Sequence, residues 1–367
     1  MQPMPSRNLI ERSTFFAQTP FTETRSGSSE TGCMDVLSEV LRAVKLRGAL
    51  FFNGEFSAPW CFRSGGSALA ARALFPLLLD PGTADPEASR LIVFHFLTEG
   101  RAFARLEDGS REELTAGDIV IIPRGEAHFL GNGWPEKPVD SFVVFARYLA
   151  EGLKAVRFGG GGEITRFVCG FMACEPRLSD VVLAGLPPIL KVRVADEPAG
   201  EWLAQYIRFS VDQAGSSAGS ALVLSRLSEV LFVEALRRYI SSMPGDRSGW
   251  LAGARDPVVG RALALLHHEP SRPWTVQELA KRAGLSRTRL VERFSHFLGE
   301  SPMAYLTQWR LKLGAEMLQS AEQSVAAVAD AVGYGSESAF NRAFKREFGC
   351  PPAQFRRRRK SQAAGQS

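Results

Sequence analysis

Trp274-Thr275-Val276-Gln277-Glu278-Leu279-Ala280-Lys281-Arg282-Ala283-Gly284-Leu285-Ser286 opens the stretch that decides the fold, which runs on to Phe355. One pattern occurs there twice. Ala280, Ala283, Gly284 and Leu285 precede Leu290, Phe294, Leu298, Gly299, Pro302 and Tyr305. Ala329, Val332, Gly333 and Tyr334 precede Phe340, Phe344, Phe348, Gly349, Pro352 and Phe355. The copies are offset by about 49 residues before the turn and about 50 after it, which marks an internal repeat. Each copy reads as a short helix, a tight turn through glycine and a second helix, the helix-turn-helix unit whose second helix fits a DNA major groove.

Local chemistry supports this reading. Thr275 and Glu278 form a capping box in front of Leu279, Ala280 and Ala283, and Gly284 supplies the positive φ of the turn. Ser286 caps a recognition helix over 287–298 that buries Leu290, Phe294 and Phe297 and shows Arg287, Thr288, Arg289, Val291, Glu292 and Arg293. Ser336 caps the second, over 337–348, with Phe340, Phe344 and Phe348 inward and Glu337, Ser338, Asn341, Arg342 and Lys345 outward. Asn reads adenine, and Arg reads guanine or holds phosphate. Between the units, Pro302 starts a helix with Tyr305, Leu306, Trp309, Leu313 and Met317 inward and Arg310 and Lys312 outside. At 1.5 Å per residue, 302–318 spans about 25 Å, and with the flanking units this sets the recognition helices roughly one DNA turn, about 34 Å, apart.

Charge follows the repeat. From Asp256 onward there are 17 Lys and Arg against 10 Asp and Glu, net +7, which leaves 27 against 29, net −2, for 1–255. A basic excess on the repeated helices is the footprint of a module that meets phosphates, although a solvated basic face has the same composition. The tail Arg356, Arg357, Arg358, Arg359 and Lys360 reads as a phosphate contact beside the second unit or as a solvated end.

The remaining residues suggest two or three domains. Residues 1–33 are polar, aperiodic and without an apolar signal core, and are expected to be disordered, with Met34 an alternative start. No apolar run is long enough for a bilayer, so neither a membrane span nor membrane partner is expected. The five scattered cysteines suit a reducing cytoplasm. A helical pattern at 34–44 is followed by short β-like runs up to about Tyr148, clearest at 91–96, 119–122 and 141–146. Gly159–Gly162 reads as a flexible linker, with strands at 167–171 and 189–194, a turn of helix at 183–188, and helices over 202–211 and 221–241. The last carries a stripe, Leu224, Leu227, Leu231, Ala235 and Arg238, that reads equally as core or as an antiparallel pair in a homodimer. Residues 242–256 read as a linker between domains.

The β-rich part carries Gly117, Pro123, Gly125, His128 and Asn132 at the spacing of the second cupin signature, which resembles the cupin barrels over about one hundred residues. The first signature is incomplete, because Val93 stands where the first histidine of a metal cupin should be. His95, Glu99 and His128 remain as a two-histidine, one-carboxylate set for iron or a similar divalent ion, or as satisfied core or ligand-pocket residues. The expectation is no cofactor and no metal, with a pocket for a small-molecule effector.

Gly333-Tyr334, Ser338, Phe340, Arg342, Phe344-Lys345, Phe348-Gly349 and Pro352 resemble the most specific motif of the AraC/XylS family of bacterial transcription regulators. Met34-Asp35 with Leu37-Ser38, Val168-Cys169-Gly170 and Leu186-Pro187 are similar to the cupin half of a subset of that family. The resemblance implies promoter binding to double-stranded DNA and, commonly, activation through RNA polymerase. By position it places base-facing sites on Thr288, Val291 and Glu292 and on Glu337, Ser338, Asn341 and Arg342. Val291 cannot hydrogen-bond and Glu292 repels phosphate, so either Glu292 accepts from a cytosine or the first unit binds through Arg287, Arg289 and Arg293.

The expected architecture is therefore α+β and multidomain. A disordered 1–33 precedes a cupin or jelly-roll β-barrel over 34–160 and a strand and helical dimerisation segment over 161–243. A linker over 244–256, an all-α double helix-turn-helix over 257–358 and a basic tail over 359–367 complete it. The expected function is a regulator rather than an enzyme, since no catalytic set is visible. The competing readings are a metal cupin enzyme fused to a DNA-binding module, and a redox switch at Cys33, Cys61, Cys169 or Cys174.

Overall fold

The structure, a computed structural model, describes residues 35–44, 46–66, 90–133, 137–141, 144, 156–194, 196, 198–212, 220–320 and 323–357. The extension 1–33 with Cys33, and the tail from Arg358, lie outside the described residues.

Helix α1 (Val36–Val44) starts where the Asp35 carboxylate accepts from the Leu37 amide, 3.1 Å, and buries Val36, Leu37, Val40 and Val44. Strands β1 (Arg47–Ser57), β2 (Trp60–Ser64), β3 (Arg90–Glu99), β4 (Arg101–Leu106), β5 (Arg111–Thr115), β6 (Asp118–Ile122), β7 (His128–Asn132), β8 (Val139–Asp140), β9 (Val156–Gly159) and β10 (Ile164–Cys174) follow. Then come α2 (Pro176–Leu183), β11 (Leu190–Arg193), α3 (Pro198–Asp212) and α4 (Ser220–Ser242). The strands form two sheets, β11-β6-β3-β10-β1-β9 and β5-β4-β7-β2-β8, which pack as layers and do not close into a barrel.

Strand alternation divides the larger sheet's side chains between two cores. Leu91, Val93, Leu97, Val120, Ile122, Phe167 and Phe171 meet Trp60, Phe62, Ala104, Leu114 and Leu130 of the smaller sheet. Ile92, Phe94, Phe96, Ile119, Ile121, Val168 and Met172 face the other way, into helices α1 to α4.

Several expectations change. Of 141–146 only Ser141 and Val144 are described, and both are helical; the strand is Val139–Asp140. The short helix lies at Pro176–Leu183, with Leu183 its last residue. Gly159–Gly162 is a packed turn. Gly160 donates to the Ser57 carbonyl, Gly161 to Ser57 Oγ and Gly162 to the Ala58 carbonyl, at 2.8, 2.9 and 2.8 Å. A Cβ on Gly162 would stand 2.6 Å from that Ala58 oxygen, so small residues permit contact here rather than motion. On α4, Leu224, Leu227, Leu231 and Ala235 are core, and Arg238 is tied to Glu234 and to the Arg193 carbonyl.

Residues 242–256 carry a helix, α5 (Trp250–Arg255), with Trp250, Leu251 and Ala252 buried. Beyond it lie α6 (Pro257–His268), α7 (Val276–Ala283), α8 (Arg287–Leu298), α9 (Pro302–Ser320), α10 (Val325–Ala331) and α11 (Glu337–Phe348). The core on the outer face of the larger sheet continues through α5 and α6 to Leu279, Leu290, Phe294 and Trp309. Leu311, Ala315, Leu318, Val328, Phe340 and Phe344 form a separate core.

Candidate nucleic-acid interface

In the first unit, Thr275 Oγ1 accepts from the Glu278 amide at 3.1 Å, and Gly284 ends α7 at φ 82°. Only half of the capping box forms. The Glu278 carboxylate takes Arg272 Nη2 at 2.6 Å instead of reaching back, because Arg272 is already held beside it by Glu269. Ser286 caps α8 through the Arg289 amide, Leu290 and Phe294 are buried, and Gly299 ends the helix at φ 76°. Arg287, Thr288, Arg289 and Glu292 are exposed and Val291 is half-buried.

Arg293 departs from the expected DNA-facing set. Its Nε lies 3.0 Å from both carboxylate oxygens of Asp256 and its Nη2 2.5 Å from Oδ2. Asp256 also caps α6, accepting from the amides of Val258 and Val259 at 3.1 and 2.9 Å. Burial opposes ionisation of this carboxyl, but Arg293 and the two amides outweigh it and hold its pKa below the usual value. The guanidinium therefore fastens α8 to the start of α6. Another cation stands at the turn. Arg261 on α6 is exposed, and its Nη1 is 3.6 Å from where a Gly284 Cβ would sit. Sequence reading missed it because α6 lies outside the repeated pattern; an arginine among buried Gly260, Ala262 and Leu263 was the available signal.

In the second unit Ser324 caps α10 and Ser336 caps α11. Phe340, Ala343 and Phe344 are buried, with Phe344 4.4 Å from Phe348 and 5.2 Å from Phe355 between ring centroids. Glu337, Ser338, Arg342 and Lys345 are exposed and Asn341 is half-buried. The base-facing groups bond to one another: Arg342 Nη1 donates to Ser338 Oγ at 2.8 Å and Asn341 Nδ2 to Glu337 Oε1 at 3.5 Å. Arg356 is spent on the fold, donating to the Gln323 carbonyl at 2.5 Å, whereas Arg357 is exposed.

Helix α9 joins the units. Tyr305, Leu306 and Trp309 enter the first core, Leu311, Ala315 and Leu318 the second, and Leu313 packs on both. Arg310 is not outside as expected. It is half-buried, donating to the Pro270 and Arg272 carbonyls at 2.6 and 2.7 Å. Gly333, at φ 83°, sits so close to Ser271 that a Cβ would meet the Ser271 carbonyl oxygen at 2.5 Å. The turn of the second unit thus rests on the loop before α7.

The histidines of the β-rich half converge, but not as a metal set. His95 and His128 point between the sheets with their Nε2 atoms 2.9 Å apart. Cys169 Sγ lies 3.0 Å from His95 Nδ1, and the Glu126 carbonyl 2.8 Å from His128 Nδ1. A carbonyl only accepts, which sets the sense of the chain: His128 Nδ1–H donates to Glu126, His95 Nε2–H to His128, and the Cys169 thiol to His95. Burial, then the neighbouring His128, holds His95 well below its usual pKa, and burial lowers His128 against the pull of Glu126. Both rings are therefore neutral at pH 7 and the chain is satisfied.

Glu99 is absent from this group. The pairing of β3 with β10 shifts between Leu97–Phe167 and Glu99–Arg166, so Thr98 is an extra residue and Glu99 turns outward to an ion pair with Arg166. Cys169 approaches the far nitrogen of His95, leaving two ligands where a bound divalent ion needs at least three from protein. No cluster of three metal-ligating side chains occurs among the described residues, and the divalent metal of the cupin enzymes does not fit here. The redox reading meets buried thiols: burial raises Cys61 to about 11, opposed by Arg105, raises Cys174 to about 11, and pushes Cys169 up further.

A two-sheet domain continuous with paired helix-turn-helix units defines a DNA-binding regulator with an appended β-rich half. A cupin family model matches residues 35–241, and a helix-turn-helix domain model matches 279–358. An AraC-like transcription regulator of Streptomyces lividans is 37% identical over 88% of this chain and 98% of its own length. The HTH-type transcriptional regulator AlkR of Acinetobacter baylyi is 30% identical over 88% of this chain and 99% of its own. The RCS-specific HTH-type transcriptional activator RclR of Escherichia coli is 27% identical over 89% and 98%. Among solved structures, the DNA-binding domain of AdpA in complex with a target DNA is 29% identical over 29% of this chain and 96% of its own, at a TM-score of 0.28. The chain belongs to the AraC family of DNA-binding transcription regulators, with a cupin N-terminal domain. No helix among the described residues is long and apolar enough to cross a membrane.

Proposed function

We propose that the chain regulates transcription by placing α8 and α11 in successive major-groove segments on one face of a specific duplex site. The observation that carries this is the joint between the units. Helix α9 lends one face to each core, Arg310 clamps it to the loop before α7, and Gly333 seats the second unit on the same loop. The 19 residues of α9 span about 28 Å. A rigid strut of that length suits helices one DNA turn, about 34 Å, apart. Arg287, Arg289, Arg261 and Arg357 supply phosphate contacts; Asn341 and Arg342 read bases. Base reading requires Arg342 to exchange Ser338, and Asn341 to exchange Glu337, for base edges.

Selection of bound duplexes from a random pool tests the reading. It should return two half-sites whose centres lie about 10 base pairs apart, and a half-turn insertion should abolish joint binding. Affinity indifferent to sequence and salt would overturn it. Asn341→Ala should relax preference at one base pair by about 1–3 kcal/mol. The sandwich has a route to α8 through the shared core, where α1 packs on α6 and His268 Nδ1 lies 3.3 Å from Glu39. We infer that a signal received in the cupin half acts on the first unit along this contact.

A further inference from the structure

We propose that the outward face of α3 and α4 is the interface with a second copy of this chain. The stripe that sequence periodicity singles out, Leu224 to Ala235, is core and cannot pair with another subunit. A different surface is exposed. Among the described residues, seven large apolar side chains are exposed, and six lie on α3 and α4: Trp202, Tyr206, Phe209, Leu222, Val223 and Val230. Trp202, Phe209 and Leu222 are 60%, 59% and 63% exposed. Scattered single exposures are ordinary, but a concentration on one helix pair marks an interaction surface.

The geometry is that of a preformed wall. Trp202 and Tyr206 stack at 5.4 Å and 6°, and Tyr206 and Phe209 at 6.3 Å and 24°. Rings spaced i, i+4, i+7 hold one another in place, so little side-chain freedom remains to be lost on docking. A Cβ on Gly200 would stand 2.8 Å from Arg238 Nη2, so the start of α3 lies by the end of α4 and the helices run antiparallel.

Charge selects the occupant. The outward residues Glu201 and Arg208 on α3, and Arg226 and Glu229 on α4, are balanced, which favours neither a phosphate backbone nor an anionic lipid surface. Val223, Arg226 and Val230 lie on one stripe of α4, with Arg226 Nη1 3.1 Å from Glu229. A twofold axis midway between the valines sets each Val223 opposite the Val230 of the other copy. The same axis brings Arg226 within about 3 Å, along the helix, of the other copy's Glu229, at 1.5 Å per residue. An isologous interface requires such self-complementarity.

The test is the mass of the full chain by sedimentation equilibrium up to about 50 µM. Wild type should weigh twice the 40.1 kDa chain, and Val230→Arg and Phe209→Ser should each weaken association at least tenfold with unchanged circular dichroism. Arg226→Glu and Glu229→Arg should each weaken the dimer, and the double exchange should restore it. A monomeric wild type, a dimer indifferent to Val230→Arg, or a monomer that floats with phosphatidylglycerol vesicles would overturn the proposal. Binding of Val230→Arg to a single two-half-site duplex, measured alongside, separates failure of the interface from failure of the DNA-binding reading.

Discussion

Gly333→Ala isolates the contact that holds the two helix-turn-helix units together, and Gly349→Ala supplies its control. Both glycines have positive φ, 83° and 72°, and end or follow a helix. A left-handed alanine costs about 1 kcal/mol at either position. At Gly349 nothing lies within 4 Å of the new methyl, so that cost is the whole effect. At Gly333 the methyl meets Ser271 O, Cα and C at 2.5, 2.7 and 2.8 Å, all backbone. Backbone cannot rotate aside, so the loop or the second unit must move, adding about 1–3 kcal/mol as overpacked sites do. Urea unfolding should therefore place Gly333→Ala below Gly349→Ala by that increment. DNA titration should separate them further: Gly333→Ala should bind a duplex with both half-sites little better than one with the first alone, while Gly349→Ala keeps the joint affinity. Equal stability losses, within about 0.5 kcal/mol, would refute the reasoning. So would an unaltered joint affinity of Gly333→Ala.

Three further outcomes are expected. Arg289→Ala and Arg261→Ala should each lower the slope of log affinity against log salt by about 0.9, one phosphate contact. Arg293→Ala should leave the slope unchanged while lowering stability, because its partner is Asp256. Acid should destabilise the fold earlier than carboxylate titration alone. His95, His128 and His267 are buried and neutral, the last lowered to about 3 by burial and then by Lys312, so their contribution is present above about pH 6.5 and lost as pH falls. A His95→Asn/His128→Asn variant should show a shallower loss between about pH 6 and 4 in unfolding titrations. Thiol labelling of the native chain at pH 7.5 should be slow at Cys61, Cys169 and Cys174 and become fast in denaturant, as burial and raised pKa values require.

The recognition helices were legible because their information is local. Ser286 and Ser336 cap, Gly299 and Gly349 stop, and Phe294, Phe340 and Phe344 sit at helical spacing within one run of residues. What escaped is non-local. Arg293 looks like its neighbours until Asp256, 37 positions away, is folded against it. Glu99 keeps the cupin spacing along the chain, but the extra Thr98 in the ladder turns it to the opposite face. Helix α4 carries apolar residues on two faces, so periodicity could not say which one the sheet would cover. Gly159–Gly162 has the composition of a linker, and only the position of Ser57 and Ala58 makes it a seam.

The division into cores has a kinetic consequence. The first recognition helix shares its core with α1 and the outer face of the larger sheet, so exposing it requires opening much of the chain. The second rests on its own small core and can open alone. On DNA, release then proceeds in two strokes. The second unit detaches and re-engages while the first stays seated, and the lifetime of the complex is governed by how seldom both let go together.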